Sequence, residues 1–213
     1  MAKRSILGPV VLIFVFVVPL LVYFFLFVGT KQQFNRVPFV YKITETGDTL
    51  NYGIPGFRMV NTDGDTVSQK NLLGNICIIG FYSPQGENYT NTALIGNLRR
   101  TFDNIAWEKK PAIKFILFSV EDSTSTLKAF TDSLGVDTQN WMFVSGSGDA
   151  IVTVAEGLGV PDFQRFPQPF TSPTVVLTDR EGMVRKQYIA TDLVEERKIQ
   201  EDLITLLRVD YGL

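Results

Sequence analysis

The 213-residue chain has no histidine and one cysteine, Cys77. The first absence removes the side chain that most often serves as acid–base switch and metal ligand near neutral pH. The second excludes an internal disulfide and any two-cysteine exchange motif. There is also no Gly-rich phosphate loop, no metal-spaced cluster and no internal repeat. Formal charge is nearly balanced at −2, which argues against nucleic acid or an anionic surface as partner. Charge is missing altogether from Ser5 to Thr30, where Leu, Ile, Val and Phe dominate.

That uncharged run is long enough for a bilayer core, which takes roughly 20 residues. It exceeds the ~7 to 15 apolar residues of a signal peptide and no small-x-small cleavage site follows it, so a retained anchor is expected rather than a cleaved leader. Lys3 and Arg4 precede the run, and by the positive-inside rule the short amino terminus is cytoplasmic and the rest lies outside, on the periplasmic or intermembrane-space side. The expected organisation is a cytoplasmic terminus over 1–5, a transmembrane helix over 6–29, a tether with a short extended piece over 30–53, and one domain over 54–213.

Within that domain the residues Ile76 to Phe81 form a short apolar run between turn signals, a buried central strand. The Asp63-Gly64 step between two extended pieces marks a hairpin. Leu94, Ile95, Leu98, Phe102 and Ile105 recur at helical spacing, predicting a helix from Thr92 to near Trp107. Ile113–Val120 reads as a second buried strand. Ser123 is set to cap a helix that ends at Gly135. Trp141–Val144 is a third strand, Ala150–Leu158 a third helix, and Thr174–Leu177 a fourth strand joined by a turn to Met183–Ile189. Asp192, with Glu195 three residues on, begins a last helix. Strands alternating with helices give an α/β fold with a mixed sheet, in the order of thioredoxin.

In such a sheet, chemistry sits beyond the carboxyl ends of the strands. The candidate site is therefore the loop Tyr82, Ser83, Pro84, Gln85, Gly86, Glu87, Asn88 and Tyr89, facing Ser172 and Pro173, where a proline before a strand is expected to be cis. It is chemically quiet: hydroxyls, amides and one carboxylate, Glu87. Glu87 could be a base only if burial raised its pKa, and no second acid or imidazole accompanies it; a solvated carboxylate is the simpler reading. Cys77, inside the apolar strand, reads as a core residue rather than a reactive thiol. Just before Pro173, Phe163, Phe166 and Phe170 alternate with prolines. They either pack back on the domain or, as rigid anchors, present a protein-binding face with Tyr82 and Tyr89.

Ile54-Pro55-Gly56-Phe57, Thr62–Val67, Phe118–Phe130 through Val136, Asn140–Gly146 and Val176–Gly182, in that order and spacing, resemble the SCO/SenC family of membrane-anchored thioredoxin-like proteins. The resemblance implies a CxxxC pair after the central strand and a histidine near the fourth, binding copper or exchanging disulfides. Here Phe81–Asn88 occupies the first region and Pro169–Pro173 the second, without any of the three ligands. Copper chemistry of that type is expected to be lost, since hydroxyls are poor ligands for Cu(I). The expected function is that of an accessory subunit or assembly factor of a respiratory membrane complex, of cytochrome oxidase type, with no metal, cofactor or small-molecule substrate. The alternative is a copper chaperone or thiol–disulfide oxidoreductase whose site is unrecognised or completed by a partner.

Overall fold

A computed structural model of the chain describes residues 15–22, 37–44, 46–83, 88–120, 123–160 and 172–212. The chain divides into two units, Met1–Arg36 and Val37–Leu213. Of the first, residues 15–22 are helical (α1) with exposed side chains. Among the described residues no helix is long and apolar enough to cross a membrane; most of the span expected over 6–29 lies outside them.

The second unit is built on a seven-stranded sheet. Its strands are β3 (Arg58–Asn61), β4 (Thr66–Ser68), β5 (Ile76–Phe81), β6 (Ile113–Val120), β7 (Trp141–Gly146), β8 (Ser172–Thr178) and β9 (Val184–Ile189), in the spatial order β4-β3-β7-β6-β5-β8-β9. β5, β6 and β7 run parallel and the other pairs antiparallel. Two short strands, β1 (Tyr41–Ile43) and β2 (Thr49–Asn51), form a separate hairpin. Helices α2 (Asn88–Asp103), α3 (Thr124–Leu134), α4 (Gly148–Gly157) and α5 (Leu193–Tyr211) complete the unit. This is a mixed α/β, thioredoxin-like fold.

All six residues of β5 are buried, as a strand covered on both faces must be. Its alternation divides the core. Ile76, Ile78 and then Tyr82 pack with α2, α3 and α5 residues such as Leu98, Leu127 and Leu203. Cys77, Ile79 and Phe81 face the α4 residues Ile151, Val154 and Ala155 on the other side. Gly80 is required by packing rather than by backbone angle: a Cβ there would lie 2.9 Å from Leu117 and 3.3 Å from Val175.

The capped helices form where expected. Ser123 Oγ accepts from Thr126 N at 3.1 Å, and Gly135 ends α3 in the left-handed region at φ 58°. Asp192 accepts from Val194 N at 2.7 Å, but Glu195 bonds Lys198 at 2.6 Å instead of closing a capping box. α2 starts at Asn88, ahead of Thr92, because its first turn is polar and leaves no apolar period to read. It stops at Asp103, and Trp107 opens a 3-10 helix, Trp107–Ala112, instead of closing α2. β7 runs on to Gly146, beyond the expected Val144.

Candidate functional site

At the carboxyl end of β5, Tyr82 N donates to Phe118 O at 3.0 Å, carrying the parallel ladder one residue past the strand. The Tyr82 ring turns to the α2 and α3 side, stacking on Phe130 with centroids 5.1 Å apart and meeting Phe143 edge-on at 5.6 Å. It is fully buried. Ser83 is buried as well, and the Asn91 amide, from the second turn of α2, donates to its carbonyl. Opposite, Ser172 pairs with Phe81 across the β5–β8 ladder, where the register shifts between Ile79 and Phe81. Ser172 Oγ accepts from Thr174 N at 3.1 Å, and Pro173 O accepts from Ala190 N at 2.8 Å. Proline has no N–H to give a ladder, and this one sits where the ladder toward β5 is already interrupted.

The structure thus brings Tyr82 and Ser83 beside Ser172 and Pro173. It corrects the role expected of Tyr82, which is a core aromatic and cannot line an exposed face. Asn88 and Tyr89 have their backbones in the first turn of α2. Pro84, Gln85, Gly86 and Glu87, and with them Phe163, Phe166 and Phe170, lie outside the described residues. Phe130 is legible from sequence as part of the apolar face of α3, but its stacking on Tyr82 is not, and nothing in the sequence marks Asn91 as the residue that holds the Ser83 carbonyl.

Cys77 lies five residues before Tyr82 and on the opposite sheet face. Its thiol points to the carbonyls of Leu72 and Asn75 at 3.6 and 3.7 Å. Burial pushes its pKa up to about 12, with a smaller opposing contribution from a hydrogen bond with Thr178. The thiolate needed for exchange or metal binding is therefore scarce at neutral pH.

No protein-family model matches the sequence, and no curated protein matches it. Solved structures do. A SCO1/SenC family lipoprotein from Bacillus anthracis str. Ames is 26% identical over 74% of this chain and 96% of its own, with a TM-score of 0.58. Several of the structural neighbours of this chain are SCO/SenC proteins; others include a thiol peroxidase from Chromobacterium violaceum. BsSco, described as a member of the Sco family of cytochrome c oxidase assembly proteins, is 24% identical over 75% of this chain and 95% of its own, with a TM-score of 0.57. Arabidopsis thaliana ScoI, solved with copper bound, is 18% identical over 74% and 99%, with a TM-score of 0.56. At the identities of these last two, the likeness is one of fold.

The residues present do not fit copper. Around the end of β5 the described side chains are a buried phenol and two serines, hydroxyl donors that suit a soft ion poorly. The chain's one thiol faces away, and imidazole is absent from the sequence. Among the described residues no three His, Cys, Asp or Glu side chains are grouped as a metal site.

Proposed function

We propose that the chain is a membrane-anchored, SCO-like domain that acts by protein contact, as an accessory subunit or assembly factor of a respiratory complex of cytochrome oxidase type. The anchor is the uncharged run Ser5–Thr30, with the domain on the periplasmic or intermembrane-space side. The observation that carries this reading is that at the carboxyl end of β5 Tyr82 is packed into Phe130 and Phe143 as a core aromatic, while the lone thiol, Cys77, is buried on the other face. The loop sequence Tyr82–Tyr89 holds no thiol, thioether or imidazole, and so no soft donor. The SCO/SenC likeness supports the choice of partner, since BsSco carries an assembly description.

The test is purification of the full-length protein in mild detergent, with metal analysis of the eluate. Recovery of a defined respiratory complex at fixed stoichiometry, from protein free of copper, is the expected outcome. A solitary protein carrying one equivalent of copper would overturn it.

A further inference from the structure

Glycine costs a helix interior more than any residue except proline, yet Gly96 stands near the middle of α2. Among the described residues nothing requires it: the backbone there is helical, and a Cβ would meet no atom within 4 Å. This is the reverse of Gly80, where a Cβ would collide with its neighbours. The open space beside Gly96 belongs to a cleft of about 280 Å³ between α2 and α3.

Asn91, Ile95 and Arg99 line the cleft at four-residue spacing on α2, and Phe130 and Leu134 at the same spacing on α3, which places each set on one helix face. Ile95, Phe130 and Leu134 make the walls apolar. Polar groups stand toward the two ends: Thr92 near the start of α2, and Arg99 ~11 Å further along the axis at 1.5 Å per residue. Arg99 Nη1 donates to Leu134 O at 2.8 Å, joining α2 to α3. That bond uses one N–H of the guanidinium's five and leaves its charge unneutralised. The next residue, Arg100, is held by Glu196 with Nη2–Oε2 at 2.9 Å, whereas Arg99 has no carboxylate partner among the described residues.

A mostly apolar cleft with a few polar groups and one cation has the make-up of a small-ligand site. Its volume lies just below the ~300–1,000 Å³ of sites for drug-sized molecules, so the ligand it fits is compact. The walls suit a ring or a branched chain, and a guanidinium is the side chain best shaped to take a carboxylate. The lining has no carboxylate, thiol or imidazole to drive a reaction, so the ligand is held and not converted. We propose that the α2–α3 cleft binds a compact monocarboxylic acid with an apolar body, its carboxylate on Arg99 and its body over Gly96 between Ile95 and Phe130. Phe130 also stacks on Tyr82, and Asn91 donates to the Ser83 carbonyl, so a bound acid touches two side chains that contact the carboxyl end of β5. The site does not depend on the partner or the anchor of the proposed function.

The test titrates the full chain, in mild detergent, with phenylacetate and follows backbone amide shifts. Saturable shifts at Gly96 and Leu134 are expected. Phenethyl alcohol keeps the ring without the charge and is expected to bind about tenfold more weakly. Arg99→Gln should bring the acid down to the affinity of the alcohol and leave the alcohol unchanged. Gly96→Leu should abolish binding of both while raising the thermal midpoint, since leucine favours a helix; a glycine needed by the fold would lower it. Uptake of either compound by micelles is common to all variants and cancels between them. Absence of saturable shifts, equal affinities for acid and alcohol, or undiminished binding by Gly96→Leu would each overturn the proposal. So would shifts at these residues caused by a respiratory complex and not by the acid, which would make the cleft a protein contact. Purification of the chain without any complex would overturn the proposed function and leave these titrations as they stand.

Discussion

The two ends of β5 are held by different forces. At its amino end, beside the point of chain entry, the buried Asp179–Arg185 pair (3.1 Å) closes the sheet. Asp179 also accepts from the backbone of Glu181 at 3.0 Å and Met183 at 2.9 Å, and Arg185 reaches Val37 and Phe39. At the carboxyl end the described contacts are aromatic stacking, a serine opposite a phenylalanine and one amide on a carbonyl. An ionic end resists deformation because a stranded buried charge is costly; an apolar end tolerates exchange of side chains of similar shape. The lesson is that one strand is held by a buried ion pair at one end and by aromatic packing at the other, so the two ends respond differently to the loss of a single side chain.

The strongest way to break the comparison is Arg185→Ala. Leaving Asp179 buried without its partner is expected to cost about 3–5 kcal/mol, read as a lower urea midpoint, with complex recovery per folded molecule unchanged. Removing both charges by apolar residues should cost less than removing one, and a double-mutant cycle measures the difference. Next comes Gly80→Ala, which crowds Leu117 and Val175 and is expected to cost about 1–3 kcal/mol, despite the gain in chain stiffness.

Cys77 gives a third test, read in pH. Its folded pKa of about 12 stands above the ordinary 9.0. A group raised on folding stabilises fully below its unfolded pKa, so stability should hold below pH 9 and decline from there to about 12. The slope is at most about 1.4 kcal/mol per pH unit, and Cys77→Ala should flatten it. The thiol should also resist alkylation until the protein unfolds. The smallest effect is expected for Ser123→Ala, at the carboxyl end of the parallel strands: loss of the α3 cap should cost about 1 kcal/mol in thermal unfolding and leave the amino end untouched.

Much of this arrangement was legible from sequence where a residue's neighbours along the chain decide its environment. β5 and β6 follow from apolar runs with turns on either side, and the starts of α3 and α5 from Ser123 and Asp192. β2 was not legible, because Thr49, Leu50 and Asn51 are exposed and carry no alternation. Tyr82 was misread as site lining for a physical reason: it follows the strand in sequence, yet the alternation still operates one residue further and turns its ring beneath Phe130. The Asp179–Arg185 pair was hidden because Thr178–Gly182 reads as an exposed turn, while the sheet folds the arginine of the next strand back onto it.

The arginine clamp also defines a path for mechanical load. Any pull transmitted along the chain into Val37 meets the Arg185 contact first, then the Val40 N to Val184 O bond at 3.0 Å and the Val184 N to Tyr52 O bond at 2.9 Å. Tension is delivered to β9, at the edge of the sheet, four strands from β7 and five from β3. A protein tugged by the motions of a membrane or a large assembly would thus yield first at its edge, while β5 and the end that carries Tyr82 keep their shape.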